Sequence, residues 1–502
     1  MHRKKVVIIG SGLGGLSCGV ILAKNGFHVT VLEKESQIGG CLQCFTRCGA
    51  KFETGMHFIG SARKGQTLHR FLNYLEVFDD IRLSPLDASG YDVVSLGGEK
   101  YRFANGREGF IDQMSAYFPR QRDNLCKYFD LVGQVAHASS LHSLNDVESD
   151  AVINTKYQMR SINAVIEEVI SDPLLAKVLV GNLPLYAAER DKTPFSTHAF
   201  IMDFYNQSAF RIVGGSDAVA VSMRKTIERY GGSVFTRRKA TRIVCVETNA
   251  VGVEVGGGDF LPADYVISDA HPLRTLELIE SPIIRPAYRR RLQAIPQTVG
   301  GFSVYLDFKA DTLPYMNYNY YGYSGNTPWG CENYDGKSWP QGFLYMHFCD
   351  RMPMRYANSG VILSYMRMEE LKPWFGTSVG HRGDSYNKFK EEKAESLLDS
   401  LERHFPGTRS CINTYYTSTP LTYLDYTGTE GGSLYGVVKD VTAGPAYRVS
   451  HRTRIPNVLQ AGQNINSHGM LGVLVGTIVA CSEILTAQKI LNQIAEANEE
   501  NG

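Results

Sequence analysis

Three glycines in the spacing Gly10-x-Gly12-x-x-Gly15, followed by Glu33, are the residues of this chain with the most specific chemistry. Glycine at the first position permits a tight turn, at the second lets backbone approach a pyrophosphate, and at the third lets a helix pack against a strand. The helix that starts there offers unpaired N–H groups and a partial positive charge to a diphosphate. A carboxylate at Glu33 accepts hydrogen bonds from a ribose 2′-OH and disfavours a 2′-phosphate. The set predicts a bound dinucleotide. By itself it does not separate FAD from NAD.

Two further groups of residues carry chemistry. Cys41, Cys44 and Cys48 are close enough in sequence to suggest a shared metal or iron–sulfur centre. No second ligand cluster accompanies them, and Cys126 and Cys245 stand alone, so we read them as packed thiols and expect no metal. His57 lies in an apolar strand-like run, and His468 in the polar segment before the last helix. An imidazole titrates near neutrality, which suits proton transfer, and it serves equally well as a packing residue.

The elements that position these residues are legible as patterns. Val6, Val7, Ile8 and Ile9 read as a buried parallel strand, and Leu16, Val20, Ile21 and Ala23 as the apolar face of the following helix. Gly26 stops that helix, and Val29 to Leu32 form a second strand that delivers Glu33. From 62 to 205 helical patterns dominate: Leu68 to Leu75, Ile111 to Ala138 broken near Pro119, and Ile162 to Val180 broken near Pro173. A helix is predicted over Ala218 to Tyr230, a hairpin over Arg242 to Val246 and Val251 to Val255, and a strand at Tyr265 running into a turn before Pro272. From about 281 to 439 the chain is β-like. Gly301 to Phe308 alternates as a strand with one wet face, and five tyrosines fall between Tyr315 and Tyr323. A final helix is predicted from about Val473 to Ala495.

Bulk properties exclude several classes. The 502 residues suffice for two or three domains. A formal charge of +1 gives no case for nucleic acid. The first apolar run is too short for a secretory signal and the longest, Met470 to Cys481, too short for a membrane span. Ten cysteines without such a signal point to a reducing, cytoplasmic setting, with room for a peripheral membrane contact.

Taken in order, the glycine motif, Gly39-Gly40, the segment Glu53 to His57, the Gly214–Pro272 block and the terminal Gly462, Gln463, Asn464, Gly469 and Gly472 resemble the carotenoid desaturase/isomerase and retinol saturase group of flavoproteins. The resemblance implies an α/β fold: a discontinuous Rossmann-type FAD-binding domain (1–85, 208–280 and 440–502) with an inserted α+β substrate domain (86–207 and 281–439), as in amine oxidases and phytoene desaturases. It implies FAD contacts from Gly10, Ser11, Gly12, Leu13, Gly14, Gly15, Glu33, Lys34, Gly39, Gly40, Cys41, Thr54, Gly55, Met56 and Ala240. At the C-terminal end Gly462, Gln463, Asn464, Gly469, Met470, Leu471 and Gly472 would face the flavin, the helix start favouring electron uptake there. Asn464 stands where the group carries an acid, and Cys41 where relatives often carry arginine. The activity implied is that of an FAD-dependent oxidoreductase on carbon–carbon double bonds of a long apolar conjugated small molecule, as a saturase or cis–trans isomerase, with His57 and His468 as catalytic candidates. Desaturation, amine oxidation and a non-redox lipid-escort role are the alternatives. NAD(P)H or a quinone would service the flavin transiently.

Overall fold

The computed structural model describes residues 3–144, 150–350, 353–443 and 447–499. A five-stranded parallel sheet takes its strands in the order Ser233–Phe235, His28–Leu32, Lys5–Ile9, Tyr265–Ser268 and Val458–Gln460. Its central strand pairs Val6 with Val29 on one side and Tyr265 on the other. Covered on both faces, it can be apolar throughout, which is why Val6, Val7, Ile8 and Ile9 need no alternation. The helix Leu13–Lys24 packs back on this sheet through Leu16, Val20 and Ile21, each with no exposed surface. Burial of one such side chain contributes about 1.5–3 kcal/mol. A hairpin, Ala240–Val246 with Asn249–Val255, and the edge strand Phe260–Pro262 form a small meander.

A seven-stranded mixed sheet runs Ile412–Ser418, Gly300–Phe308, Ser359–Met366, Gly342–Phe348, Asn319–Tyr323, Asp92–Leu96 and Glu99–Phe103. Helices Arg107–Tyr117, Arg122–His137, Ile162–Val169, Pro173–Val178 and Phe195–Gln207 share one hydrophobic core with it. The helix breaks fall at Pro119 and Pro173 as the sequence predicts. A short antiparallel group, Ile59–Gly60, Ala209–Val213 and Arg82–Pro85, holds the 57–60 segment beside Arg211.

Three expectations differ from the structure. The hairpin Asp92–Leu96 with Glu99–Phe103 lies inside the stretch expected to be helical, because its pairing partner Asn319–Tyr323 is remote in sequence. The strand Gly300–Phe308 has no wet face: only Asp307 is not fully buried, since strands flank it on both sides and packed side chains cover both faces. The C-terminal helix is two helices, Gly469–Ser482 and Ala487–Glu499. Thr486 explains the break: its hydroxyl accepts the Lys489 N–H at 3.1 Å and caps the second helix. Among the described residues no helix is long and apolar enough to cross a membrane.

Candidate functional site

The glycine loop closes a cradle at the end of the central strand. Gly10 has φ +98°, a conformation that favours glycine. A Cβ at Gly15 would lie 2.2 Å from the Gly10 carbonyl oxygen, so the helix sits as close to the turn as glycine alone permits. Gly12 is the N-cap of the helix, with no side chain capping it. A Cβ at Gly14 would lie 2.7 Å from the Gly462 nitrogen, so the C-terminal segment reaches the same spot, and Gly462 itself has φ +93°.

The second wall is polar. Glu33 is 7 % exposed and accepts from the Ser11 hydroxyl at 2.5 Å and the Ser11 N–H at 3.1 Å. The Gly39 N–H donates to the Ser11 carbonyl at 2.9 Å, and a Cβ at Gly40 would sit 3.2 Å from the Gly12 Cα. Gly55 backs onto Cys41, with 3.0 Å from its would-be Cβ to the Cys41 Cβ. Thr54 joins this wall: its hydroxyl donates to the Gln43 carbonyl at 2.8 Å and its carbonyl accepts from Tyr423 at 3.0 Å. Burial and the Asp269 carboxylate push the Cys41 thiol up to about 11, so it stays neutral. Among the described residues no group of three or more His, Cys, Asp or Glu side chains is placed to hold a metal ion, and Cys41, Cys44 and Cys48 differ in exposure from buried to exposed.

The other residues anticipated from sequence have protein contacts of their own. Leu13, Met56, Met470 and Leu471 pack into the core beneath the five-stranded sheet. The Lys34 ammonium lies 2.9 Å from the Asp425 carbonyl and 3.1 Å from Glu35. Ala240 opens its hairpin strand opposite Val255. Asn464 accepts the Val437 N–H at 3.1 Å, a structural bond that an acid would also make. Gly469, with φ +73°, begins the helix that carries Gly472 against Ser467. Gln463 is half-buried beside Gly462.

The two histidines differ in state. His468 is buried, its ring 4.8 Å from that of Tyr435, and burial with the nearby Lys439 charge pulls it down to about 3. It is neutral at physiological pH, and its Nε2 has no hydrogen-bond partner among the described residues. His57 is 9 % exposed, with Nδ1 3.6 Å from Glu53, whose carboxyl burial holds above the usual range. Its carbonyl accepts from Arg211 at 3.1 Å, Arg211 donates to Asn319 at 2.8 Å, and Asn319 donates to Asp92 at 2.8 Å. Burial pushes Asp92 up to about 7. Sequence reasoning took Glu53 only as part of the motif that ends at His57, and missed Arg211, Asp92 and Asp269. Of these three only Asp269 carried a local signal, as the polar residue just after the strand Tyr265–Ser268.

Aromatic rings pack against one another on the side of Cys41 away from the glycine loop. Tyr305 meets Phe45 edge-on at 4.9 Å, Phe52 lies 5.7 Å from Tyr416, and Phe58 lies 4.6 Å from Tyr205. Burial raises Tyr423 and Tyr435, with the Cys41 thiol adding to the shift in both.

Residues 13–482 match the sequence signature of the family described as flavin containing amine oxidoreductase. The chain belongs to that family. As a member of the flavin containing amine oxidoreductases it is an FAD-dependent oxidoreductase, and cradle and cofactor agree: Gly12, Gly14 and Gly462 bring three stretches of backbone together with no room for a Cβ, the close approach a diphosphate site requires. Among curated relatives, all-trans-retinol 13,14-reductase of Rattus norvegicus is 28% identical, over 96% of this chain and 86% of that one. Chloroplastic prolycopene isomerase of Daucus carota is 23% identical, over 86% of this chain and 71% of its own. Among solved structures, an oxidoreductase from Methanosarcina mazei superimposes with a TM-score of 0.66 at 16% identity, over 95% of this chain and 100% of that one.

Proposed function

We propose that this flavoprotein reduces or isomerises carbon–carbon double bonds of a long, apolar, conjugated small molecule. The observation that carries this reading is the likeness to the retinol 13,14-reductase across 96% of the chain, supported by the isomerase likeness. The aromatic cluster of Phe45, Phe52, Tyr305 and Tyr416 suits such a substrate, which offers few polar handles and binds mainly by burying apolar surface. In this reading the segments 1–85, 208–280 and 440–502 hold FAD, and 86–207 with 281–439 enclose the substrate.

Gly10 to Gly15, Gly39, Gly40 and Gly462 would seat the diphosphate, and Glu33 would exchange its bond to Ser11 for one to the ribose. FAD, when bound, supplies hydride transfer to or from a substrate carbon. Glu53 and His57 form the pair suited to hold or deliver the accompanying proton, since burial favours a protonated Glu53 and the imidazole lies beside it. His468, neutral at physiological pH, is suited to accept a hydrogen bond at the site rather than to donate a proton from an imidazolium. NAD(P)H or a quinone as transient electron donor, and contact with a lipid surface from which an apolar substrate is drawn, belong to the same proposal.

The test is anaerobic incubation of the purified protein with reduced FAD and a polyene panel, products being resolved by mass and retention time. A gain of two hydrogens identifies a saturase, and unchanged mass with shifted retention an isomerase. Untouched polyenes together with aerobic turnover of primary amines would overturn the reading.

A further inference from the structure

The cradle that glycine shapes for a diphosphate already has an acid in it. Asp269 follows the strand Tyr265–Ser268, and its N–H donates to the Ile9 carbonyl at 2.8 Å. Its carboxyl lies between the glycine loop and the C-terminal segment: a Cβ at Gly12 would fall 2.5 Å from Oδ2, and one at Gly14 or at Gly462 would fall 2.5 Å from Oδ1. The Gly15 and Gly12 N–H groups lie beside it and favour its anion, and these are donors of the kind a helix start otherwise turns toward a phosphate. The titratable groups facing Asp269 are the Glu33 carboxylate, the Cys41 thiol and, from the helix, the Cys18 thiol. None of the three is a cation.

We propose that Asp269 makes FAD binding proton-coupled: the diphosphate is seated against the neutral acid, and binding takes up one proton when Asp269 starts ionised. The proposal rests on the diphosphate placement given under Proposed function. The physical reason is charge. A carboxylate beside two phosphate charges, with Glu33 as a further negative neighbour and no compensating cation among these groups, is strongly disfavoured, whereas the protonated acid can donate its O–H to a phosphate oxygen. Burial supports this by pushing Asp269 up to about 7, so that its ionisation falls in the working pH range. The bound form has the higher pKa. Affinity is therefore full below about pH 7 and falls above it, by up to about tenfold per pH unit until the bound acid itself ionises.

The experiment measures FAD release from the holoprotein on serial dilution, by recovery of flavin fluorescence, from about pH 6 to pH 9. Calorimetry of FAD binding in two buffers of different ionisation enthalpy counts protons directly on the unmodified chain. We expect a Kd that rises about tenfold per pH unit above pH 7, an uptake approaching one proton, and loss of both in Asp269→Asn, which keeps the shape and a donor but no titration. A flat Kd in the native protein, or an unchanged slope in Asp269→Asn, would refute the coupling. Gly12→Val serves as the separate control: if it retains FAD normally, the diphosphate placement is wrong, whatever Asp269 does.

Discussion

The buried trio Tyr128–His198–Tyr186 gives a prediction whose size follows from geometry. His198 has no exposed surface, Tyr128 lies 2.7 Å from its Nε2 and Tyr186 lies 2.8 Å from its Nδ1. Burial pulls the imidazole down to about 3, so it is neutral, and one ring nitrogen donates while the other accepts. Tyr186→Phe then strands a buried ring nitrogen whichever tautomer is present, at a cost of about 1–3 kcal/mol. That is about a five- to 150-fold loss in the folded-to-unfolded ratio. His198→Gln restores one donor and one acceptor but cannot titrate. The sign of the proton linkage is fixed: the unfolded chain protonates this residue first, so its contribution to stability falls as pH drops below about 6.5 towards 3. By about pH 5 the native protein should have lost about 2 kcal/mol that His198→Gln has not. Urea unfolding followed by tryptophan fluorescence at neutral pH and at pH 5 measures both. A Tyr186→Phe midpoint equal to that of the native protein, or an unchanged acid slope in His198→Gln, would refute the reasoning.

Gly12→Val should purify without flavin, because its side chain enters the cradle where Asp269 already lies 2.5 Å from the point its Cβ would occupy; the flavin absorbance per protein is the check. Gly15→Ala must displace the helix from the Gly10 carbonyl and should lower stability by about 1–3 kcal/mol, read as a thermal shift with FAD present. Arg211→Leu removes the donor shared by His57 and Asn319 and should cost about 1.5–3 kcal/mol in the same assay; an unshifted transition would show that this bridge contributes nothing. Replacing Cys41, Cys44 and Cys48 together by Ala should leave metal content unchanged, and iron or zinc stoichiometric with the native protein but lost from the variant would overturn the reading of packed thiols.

What the sequence revealed follows from how local each constraint is. Gly10, Gly12 and Gly15 are fixed by one turn and one helix contact, and the strand, loop, helix and strand around them form within some 30 residues. The helix ends at Pro119 and Pro173 are equally local. The hairpin at Asp92 was hidden because Asp92 pairs with Asn319, 227 residues on, and a strand of five residues is too short for its pattern to separate helix from strand. The wet face assigned to Gly300–Phe308 failed for a similar reason: the packed layers that bury Ser303 and Tyr305 come from elsewhere in the chain. Asp269 had only the mark of a polar residue at a strand end. Its place in the cradle depends on Gly462, which no local pattern connects to it.

The five-stranded sheet sets the timetable of synthesis. Its last strand, Val458–Gln460, pairs with Tyr265–Ser268, about 190 residues earlier in the chain, and Gly462 completes the cradle just beyond it. At about 5–20 residues per second the ribosome needs roughly 10–40 s to bridge that gap. Through that interval the nascent chain carries an unpaired parallel edge at Val266 and Ile267, both buried in the finished fold, and a glycine loop closed on one side only. The cradle is accordingly complete only once Val458–Gln460 and Gly462 have been made, so full cofactor capture is a late event in biogenesis.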